Sequence, residues 1–328
     1  MKTGWKVFDE YMCILDALWF IIEPIIEQYS DSRRGSDQAY VRKPGGGRKH
    51  KSLRVYLNTI IYVLLSGAQW NAVLANPQCG LAKGNTANGW HIRWSNNGFY
   101  EELTIIIAEF YQLVYQYALL WCSADCSSYK APLALSIFGK NPTDRGKNGC
   151  KRSLVVDEKG LPVGFYIAGA NQHDSKILAE TLEKIFVGAL KELAEKHLCL
   201  DAAYIGPAVQ TILEMYGFEG HVQPRNKEIT EKKTNPNFKA RRWVVERTNS
   251  WYRNFRKLQI NYEKTYPSHV GLTYLATAIM TLRTIFRSNE GVNVWIKNAP
   301  KPTEEMFKNV GVKLENFIKN NGLTINVA

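Results

Sequence analysis

The sequence predicts an α/β protein: a mixed five-stranded sheet with flanking helices, preceded by a helical region of helix-turn-helix character. Three observations carry this expectation. Apolar residues recur at helical spacing from Phe8 to Tyr29 and again from Leu53 to Leu65. From Tyr117 onward the pattern changes to short apolar runs, the first three of which have no helical stretch between them. The last two runs, by contrast, each follow a helical pattern. Strands joined by turns pair antiparallel and strands separated by helices pair parallel, so one sheet holds both.

The two N-terminal stripes are joined by SDSRRGSDQAYVRKPGGGRKHKS, where Pro44 and three following glycines prevent regular structure, so Arg48 and Lys49 sit in a basic loop. Gly67 serves as a turn, Gln69 to Leu74 as a short helix, and Thr86 to Trp94 as a further helix carrying Trp90, His91 and Arg93. Short helices joined by glycine turns build helix-turn-helix domains. Trp70, Trp90 and Trp94 read as core residues rather than as platforms for bases. In the second region Leu119 to Ala124 is a short strand, and Lys151 to Val156 and Pro162 to Ala168 form a hairpin around Asp157, Glu158, Lys159 and Gly160. A helix from Ser175 to Glu195 follows, capped by Asp174, then a strand at Leu198 to Leu200, a helix from Pro207 to Tyr216 and a strand from Glu219 to Gln223.

Composition narrows the partner. The 328 residues are 45% hydrophobic, enough for a substantial core, and 42 Lys and Arg outnumber 30 Asp and Glu to give a formal charge of +12. With a pI near 9.3 the chain favours a polyanion. The most apolar windows, Cys13 to Ile26 and Leu103 to Trp121, are broken by polar residues, which predicts no membrane span. No signal peptide is visible, so a cytoplasmic, reducing interior is expected and the six cysteines read as thiols. Cys122 and Cys126 are the only close pair, and with no His-x-His nearby the spacing argues against zinc.

Three carboxylates stand in separate runs. Asp125 in SADCSSYKAP follows the first short strand, and Asp201 in HLCLDAAYIG ends the fourth. If those strands are neighbours, both acids reach the same edge of the sheet, where α/β proteins bind ligands. Glu246 lies in ARRWVVERTNSWYRNFRK, a predicted helix whose projection puts Val244, Thr248, Trp251, Phe255 and Leu258 on an apolar stripe and Arg242, Glu246, Asn249, Arg253 and Lys257 opposite. An Arg242–Glu246 pair on a solvated face is worth only about 0.3–0.5 kcal/mol. Arg247 and Arg253 belong to a dense cationic cluster around that one acid, and such a cluster repels itself unless a polyanion such as a nucleic-acid backbone is near.

Several long runs, IIYVLLSGAQW, NPTDRGKNGCKRSLVVDEKGLPVGFYIAGANQHDSK, HLCLDAAYIG and RRWVVERTNSWYRNFRKL, occur in fixed order between about Leu53 and Arg287. In these the chain resembles the DDE transposases of bacterial insertion sequences, of the insertion-sequence-five type. The resemblance implies a ribonuclease H-like catalytic domain over residues 117–288, a helical DNA-binding domain over 1–116 and a C-terminal extension over 289–328. It assigns Asp125, Asp201 and Glu246 as catalytic metal ligands for two Mg²⁺ or Mn²⁺ ions, about 3.5–4 Å apart for in-line phosphoryl displacement. It further implies terminal inverted repeats and target DNA as partners, a homodimer to pair two ends, and action at the bacterial nucleoid. DNA contacts are then expected from Arg48, Lys49, Arg93, Lys130, Arg145, Lys147, Lys151, Arg242, Arg247, Arg253 and Lys257. Cys126 stands where the family usually has glycine or serine, and Leu133, Ala134 and Leu135 replace frequent glycines. A nuclease of the same fold that joins nothing, or an inactive DNA-binding relic, are the other readings of the same residues.

Overall fold

The computed structural model describes residues 16–31, 52–115, 120–222 and 243–287. Two compact units result, one from residues up to Gln116 together with those from Val270 on, the other spanning Tyr117–His269.

The first unit is helical: α1 (Asp16–Asp31), α2 (Leu53–Ser66), α3 (Gly84–Asn96), α4 (Phe99–Tyr115) and the greater part of α9 (Tyr266–Arg287). Along α2, Leu57, Ile60, Ile61 and Leu64 are buried at the helical spacing read from the sequence. Trp94 is fully buried against Phe99 and Tyr100, and its indole N–H donates to Ser30 Oγ at 3.1 Å. Trp70 and Trp90 are only half-buried, the former stacked on His91 and the latter on Tyr56. The helix predicted from Gln69 to Leu74 shrinks to one 3₁₀ turn at Trp70–Ala72, because the chain then turns back and Val73 O accepts from Gly84 N at the start of α3. Thr104 Oγ1 donates to Tyr274 O at 3.0 Å, and Tyr274 donates to Glu101 at 2.9 Å, tying α9 to α4. Among the described residues no helix is long and apolar enough to cross a membrane.

The second unit is a mixed sheet. β1 (Trp121–Lys130) pairs antiparallel with β3 (Asn148–Asp157), which pairs antiparallel with β4 (Pro162–Gly169). On its other side β1 pairs parallel with β5 (His197–Leu200), and β5 with β6 (Glu219–Val222). A two-residue strand, β2 (Gly139–Lys140), adds a sixth to the five expected by extending the far edge of β3. The order β4-β3-β1-β5-β6, antiparallel on one side of β1 and parallel on the other, is the ribonuclease H-like arrangement. The hairpin between β3 and β4 closes where expected: Asp157 Oδ1 accepts from the N–H groups of Lys159 and Leu161, and Gly160 takes the left-handed conformation at φ 87° that the turn demands.

The helix expected from Ser175 to Glu195 is broken. A 3₁₀ turn at Asp174–Ile177 leads into α5 (Leu178–Glu183), and α6 (Gly188–Glu192) follows only after an extended stretch. In that stretch Ile185 bridges to Gly164 of β4 and Phe186 N donates to Val163 O at 3.0 Å, so sheet-edge hydrogen bonds replace helical ones. A Cβ on Gly164 would meet the Ile185 Cα at 2.9 Å, which makes glycine the residue that permits this approach. The cap is His173 rather than Asp174: His173 accepts from Ser175 N, while Asp174 is drawn into an ion pair with Lys151 at 2.5 Å. Among the described residues the unit also has α7 (Pro207–Met215) and α8 (Trp243–Tyr252).

Candidate active site

Asp125 lies in the middle of β1, not after it. The second half of that strand, DCSSYK, is polar, but its backbone pairs with β3 from Leu154 down to Gly149, and this ladder keeps it extended where apolar content does not. Asp201 directly follows β5. Because Cys199 is level with Ser123 in the parallel pair, two further residues along each chain bring Asp201 level with Asp125, on strands about 4.8 Å apart. The side chain of Asp201 accepts from Ala203 N at 2.5 Å and so caps the 3₁₀ turn at Ala202–Tyr204.

Glu246 is exposed on the first turn of α8, a helix packed on β1 and β3. Two contacts pin that helix to the β3–β4 turn: Thr248 Oγ1 donates to Gly160 O at 2.5 Å and Arg247 donates to Lys159 O. Asn249, one turn on from Glu246 and on the same side, donates from Nδ2 to Asp125 Oδ2 at 3.2 Å. Its Oδ1 in turn accepts from Arg152 Nη2 at 3.3 Å. The Arg152 guanidinium is buried, lies 3.7 Å from the centre of the Tyr252 ring, and keeps its Nε without a hydrogen-bond partner. A buried chain Arg152–Asn249–Asp125 thus fixes the first carboxylate to the helix that bears the third.

The electrostatics tie the three acids together. Burial raises the Asp125 carboxyl to about 6, with Asp201, Glu246 and Asp174 adding to the rise and the Cys126 backbone N–H opposing it. The three sets of oxygens are not all within 4.8 Å of one another. Asp201 is held by its own turn. Hard carboxylate oxygens, one of them with a raised pKa that a cation would lower, fit a divalent ion such as Mg²⁺ or Mn²⁺. Cys126 contributes no reactive thiolate: burial raises it to about 12, and its Sγ lies 3.3 Å from the Tyr204 hydroxyl.

The expected DNA-contacting cations divide into three groups. Arg48, Lys49 and Arg242 lie outside the described residues. Arg93, Lys130, Arg145, Lys147 and Arg253 are exposed, Arg93 in the helical unit with its guanidinium 4.4 Å from the Trp90 ring centre. Lys130 and Arg253 line a cavity of about 470 Å³ that shares Asn249 and Arg152 with the site. The remaining three are engaged in holding the fold. Lys257 is buried and paired with Glu263 at 3.2 Å, because α8 ends at Tyr252 and the helical projection does not reach it. Lys151 donates to Gln172 O and Asp174. Arg247 is sandwiched between Trp243 and Trp251, its guanidinium 4.4 and 4.8 Å from their ring centres. The buried face of α8 runs through Val244, Val245, Thr248, Asn249 and Tyr252, which leaves Trp251 half-buried at its flank instead of in the core. Asn249 and Arg152 are the residues the sequence reading missed, although the three-residue step from Glu246 to Asn249 was a usable signal for the first.

Residues 124–281 match the family described as "Transposase DDE domain". That span contains Asp125, Asp201 and Glu246. Residues 124–281 form a DDE transposase domain. A relative from Burkholderia cepacia, "Putative transposase for insertion sequence element IS402", is 27% identical over 158 residues, 47% of this chain and 72% of that protein. Among solved structures, a pre-cleavage Mos1 transpososome is 10% identical with a TM-score of 0.24, covering 76% of this chain and 83% of its own. A Mos1 transposase paired-end complex with left transposon end is 11% identical with a TM-score of 0.25, covering 79% and 84%. The fold of this domain stands on its own strand order. Its family implies dependence on a divalent metal ion.

Proposed function

We propose that this transposase cuts DNA at the ends of its element and joins the freed 3′-OH to target DNA, with Asp125, Asp201 and Glu246 as the ligands of two Mg²⁺ or Mn²⁺ ions. The observation that supports the reading is the Asn249 bridge, which ties Asp125 to the side of α8 that bears Glu246, together with the parallel β1–β5 register that leads toward Asp125 and Asp201. When bound, the metal activates the attacking water or 3′-OH and stabilises the leaving oxygen. The chain's own residues supply the rest. Asn249 orients the Asp125 carboxylate, and Arg152 holds Asn249 in that orientation. Lys130 and Arg253, at the mouth of the adjoining cavity, hold phosphates of the strand, with Arg145 and Lys147 on the neighbouring loop. The helical N-terminal region over 1–116, with Arg48, Lys49 and Arg93, binds the terminal inverted repeats, and a homodimer brings two ends together.

The test uses a duplex carrying the terminal repeat read from the DNA that flanks the gene. Metal-dependent nicking at the repeat end, followed by joining of pre-cleaved ends to a target plasmid, is expected from the wild-type chain. Asp201→Asn and Glu246→Gln abolish both steps. Nicking without joining would give the nuclease reading, and cleavage that survives both substitutions would remove the assignment of the acids.

A further inference from the structure

The parallel strands carry a second set of metal-ligating side chains at their other end. His197 opens β5, four residues before Asp201, so at a rise of about 3.3 Å per residue the two lie about 13 Å apart along the strand. Pairing places Trp121, His197 and Glu219 in one row across β1, β5 and β6, and His221 lies two residues on from Glu219, on the same face. His197 Nδ1 is 3.0 Å from His221 Nε2 and 3.3 Å from Glu219 Oε2, and Glu219 Oε1 is 3.8 Å from His221 Nε2.

Those separations have a chemical meaning. An ion bound tetrahedrally at about 2.0–2.1 Å holds its ligand atoms about 3.3 Å apart; the distances from His197 Nδ1 to His221 Nε2 and to Glu219 Oε2 lie close to that value, and one ligand atom from each of the three residues lies within 4.8 Å of the others. On the outer side of the ring, His197 Nε2 lies 3.3 Å from Glu195 Oε1. A carboxylate in that position accepts a hydrogen bond from Nε2–H and so turns the Nδ1 lone pair toward Glu219 and His221, the arrangement common behind metal-bound histidines. A hydrogen bond between the two rings satisfies only one edge of the triangle with its single proton. A cation satisfies all three.

The surroundings suit an ion held from one side. The Trp121 indole backs both imidazoles, its ring centre 4.2 Å from that of His197 and 4.7 Å from that of His221. His197 is buried, whereas the Glu219 side chain is 67% exposed, which leaves the remaining coordination position open to water. Two imidazole nitrogens and one carboxylate oxygen select zinc and its neighbours, not Mg²⁺, which prefers oxygen throughout.

We propose that His197, Glu219 and His221 form a zinc-class site, separate from the carboxylate site, that clips edge strand β6 to β5 and thereby steadies the strand from which Asp201 emerges. The full-length chain, stripped with chelator, is titrated with Co²⁺ in millimolar Mg²⁺, so that the hard oxygen ligands are already supplied. One equivalent of Co²⁺ per chain with the intense visible bands of tetrahedral coordination is expected, displaced by Zn²⁺. Glu219→Gln, which keeps the side chain's shape, and His221→Ala, at a half-exposed edge position, each weaken Co²⁺ binding more than about 100-fold and remove the bands, with far-UV circular dichroism unchanged. Glu195→Gln weakens it about 10- to 100-fold. Asp125→Asn leaves the bands in place. The proposal is overturned if the wild-type chain gives no tetrahedral bands, if Glu219→Gln and His221→Ala bind Co²⁺ as it does, or if Asp125→Asn alone removes the signal.

Discussion

The two ends of β5 differ in nearly every property that decides what they hold. At its start, His197, His221 and Glu219 lie in mutual contact against an indole; past its end, Asp201 faces Asp125 and Glu246 across a wider gap. Nitrogen donors that are neutral can sit 3.0 Å apart without repelling as carboxylates do. Three anions cannot, and the raised Asp125 pKa records the repulsion along with its burial. The imidazole end is therefore drawn together by neutral contacts, whereas the acid end is held apart by charge.

The sharpest way to break this contrast is to neutralise one ligand at each end. Asp201→Asn is expected to lower cleavage of a terminal-repeat duplex by more than about 100-fold, beyond the 10- to 100-fold typical of residues that only support a ligand. Glu219→Gln touches no reacting group and leaves metal-dependent nicking far closer to wild type. Equal loss of cleavage in the two variants would mean that the ends do not act separately.

Asp125→Asn probes the cost of the buried charge and the repulsion added to it. The folded-state pKa is raised from 3.8 to about 6, so the native fold favours the protonated acid. The contribution to stability is fully present below pH 4 and is lost as pH rises through about 6, which makes the ionised carboxylate destabilising at neutral pH. Removing its charge should stabilise the metal-free chain at pH 7 by on the order of 2–3 kcal/mol, with the gain vanishing below about pH 4. Urea unfolding at the two pH values measures it, and Mg²⁺ added at pH 7 should stabilise the wild type while having little effect on the variant. A variant no more stable than wild type at pH 7 would show that the Asp125 charge is not destabilised by its burial and its acidic neighbours.

Asn249→Ala is the next step down. It unties Asp125 from α8 and leaves Arg152 Nη2 without its acceptor. Cleavage should fall about 10- to 100-fold, with a matching rise in the Mg²⁺ concentration needed for half-maximal rate. A fall in rate with no change in Mg²⁺ requirement would place Asn249 outside the metal-supporting chain.

Legibility in the sequence followed the same divide. Apolar runs and helix-linked strands were enough to read a mixed sheet, and the three acids were singled out by the runs they stand in and by the family resemblance those runs carry. Position within an element was harder, because Asp125 sits in a polar strand held by its ladder with β3, which no local pattern reveals. The imidazole end was invisible for a different reason. His197 and His221 are 24 residues apart and meet only because β5 and β6 pair in parallel, whereas the spacing rules for zinc search for close pairs. The α8 projection failed in a third way, by continuing a helix past Tyr252 and so placing Lys257 on a polar face it never reaches.

That last difference yields the smallest effect on DNA binding and a clean contrast between two neighbouring cations. Arg253 is exposed at the cavity, whereas Lys257 is buried 3.2 Å from Glu263, which also accepts from Ser268 Oγ at 2.6 Å. Arg253→Ala removes one phosphate contact and should reduce the slope of log binding constant against log salt concentration by about 0.9, with stability unchanged. Lys257→Ala strands a buried carboxylate, costs about 3–5 kcal/mol of folding stability, and should leave the salt slope of the folded fraction as it was. Fluorescence anisotropy on a labelled repeat duplex across a salt series, run beside urea unfolding, separates the two. A slope that falls by the same amount for both would return Lys257 to the DNA-contacting set and mean that its pairing with Glu263 opens when DNA binds.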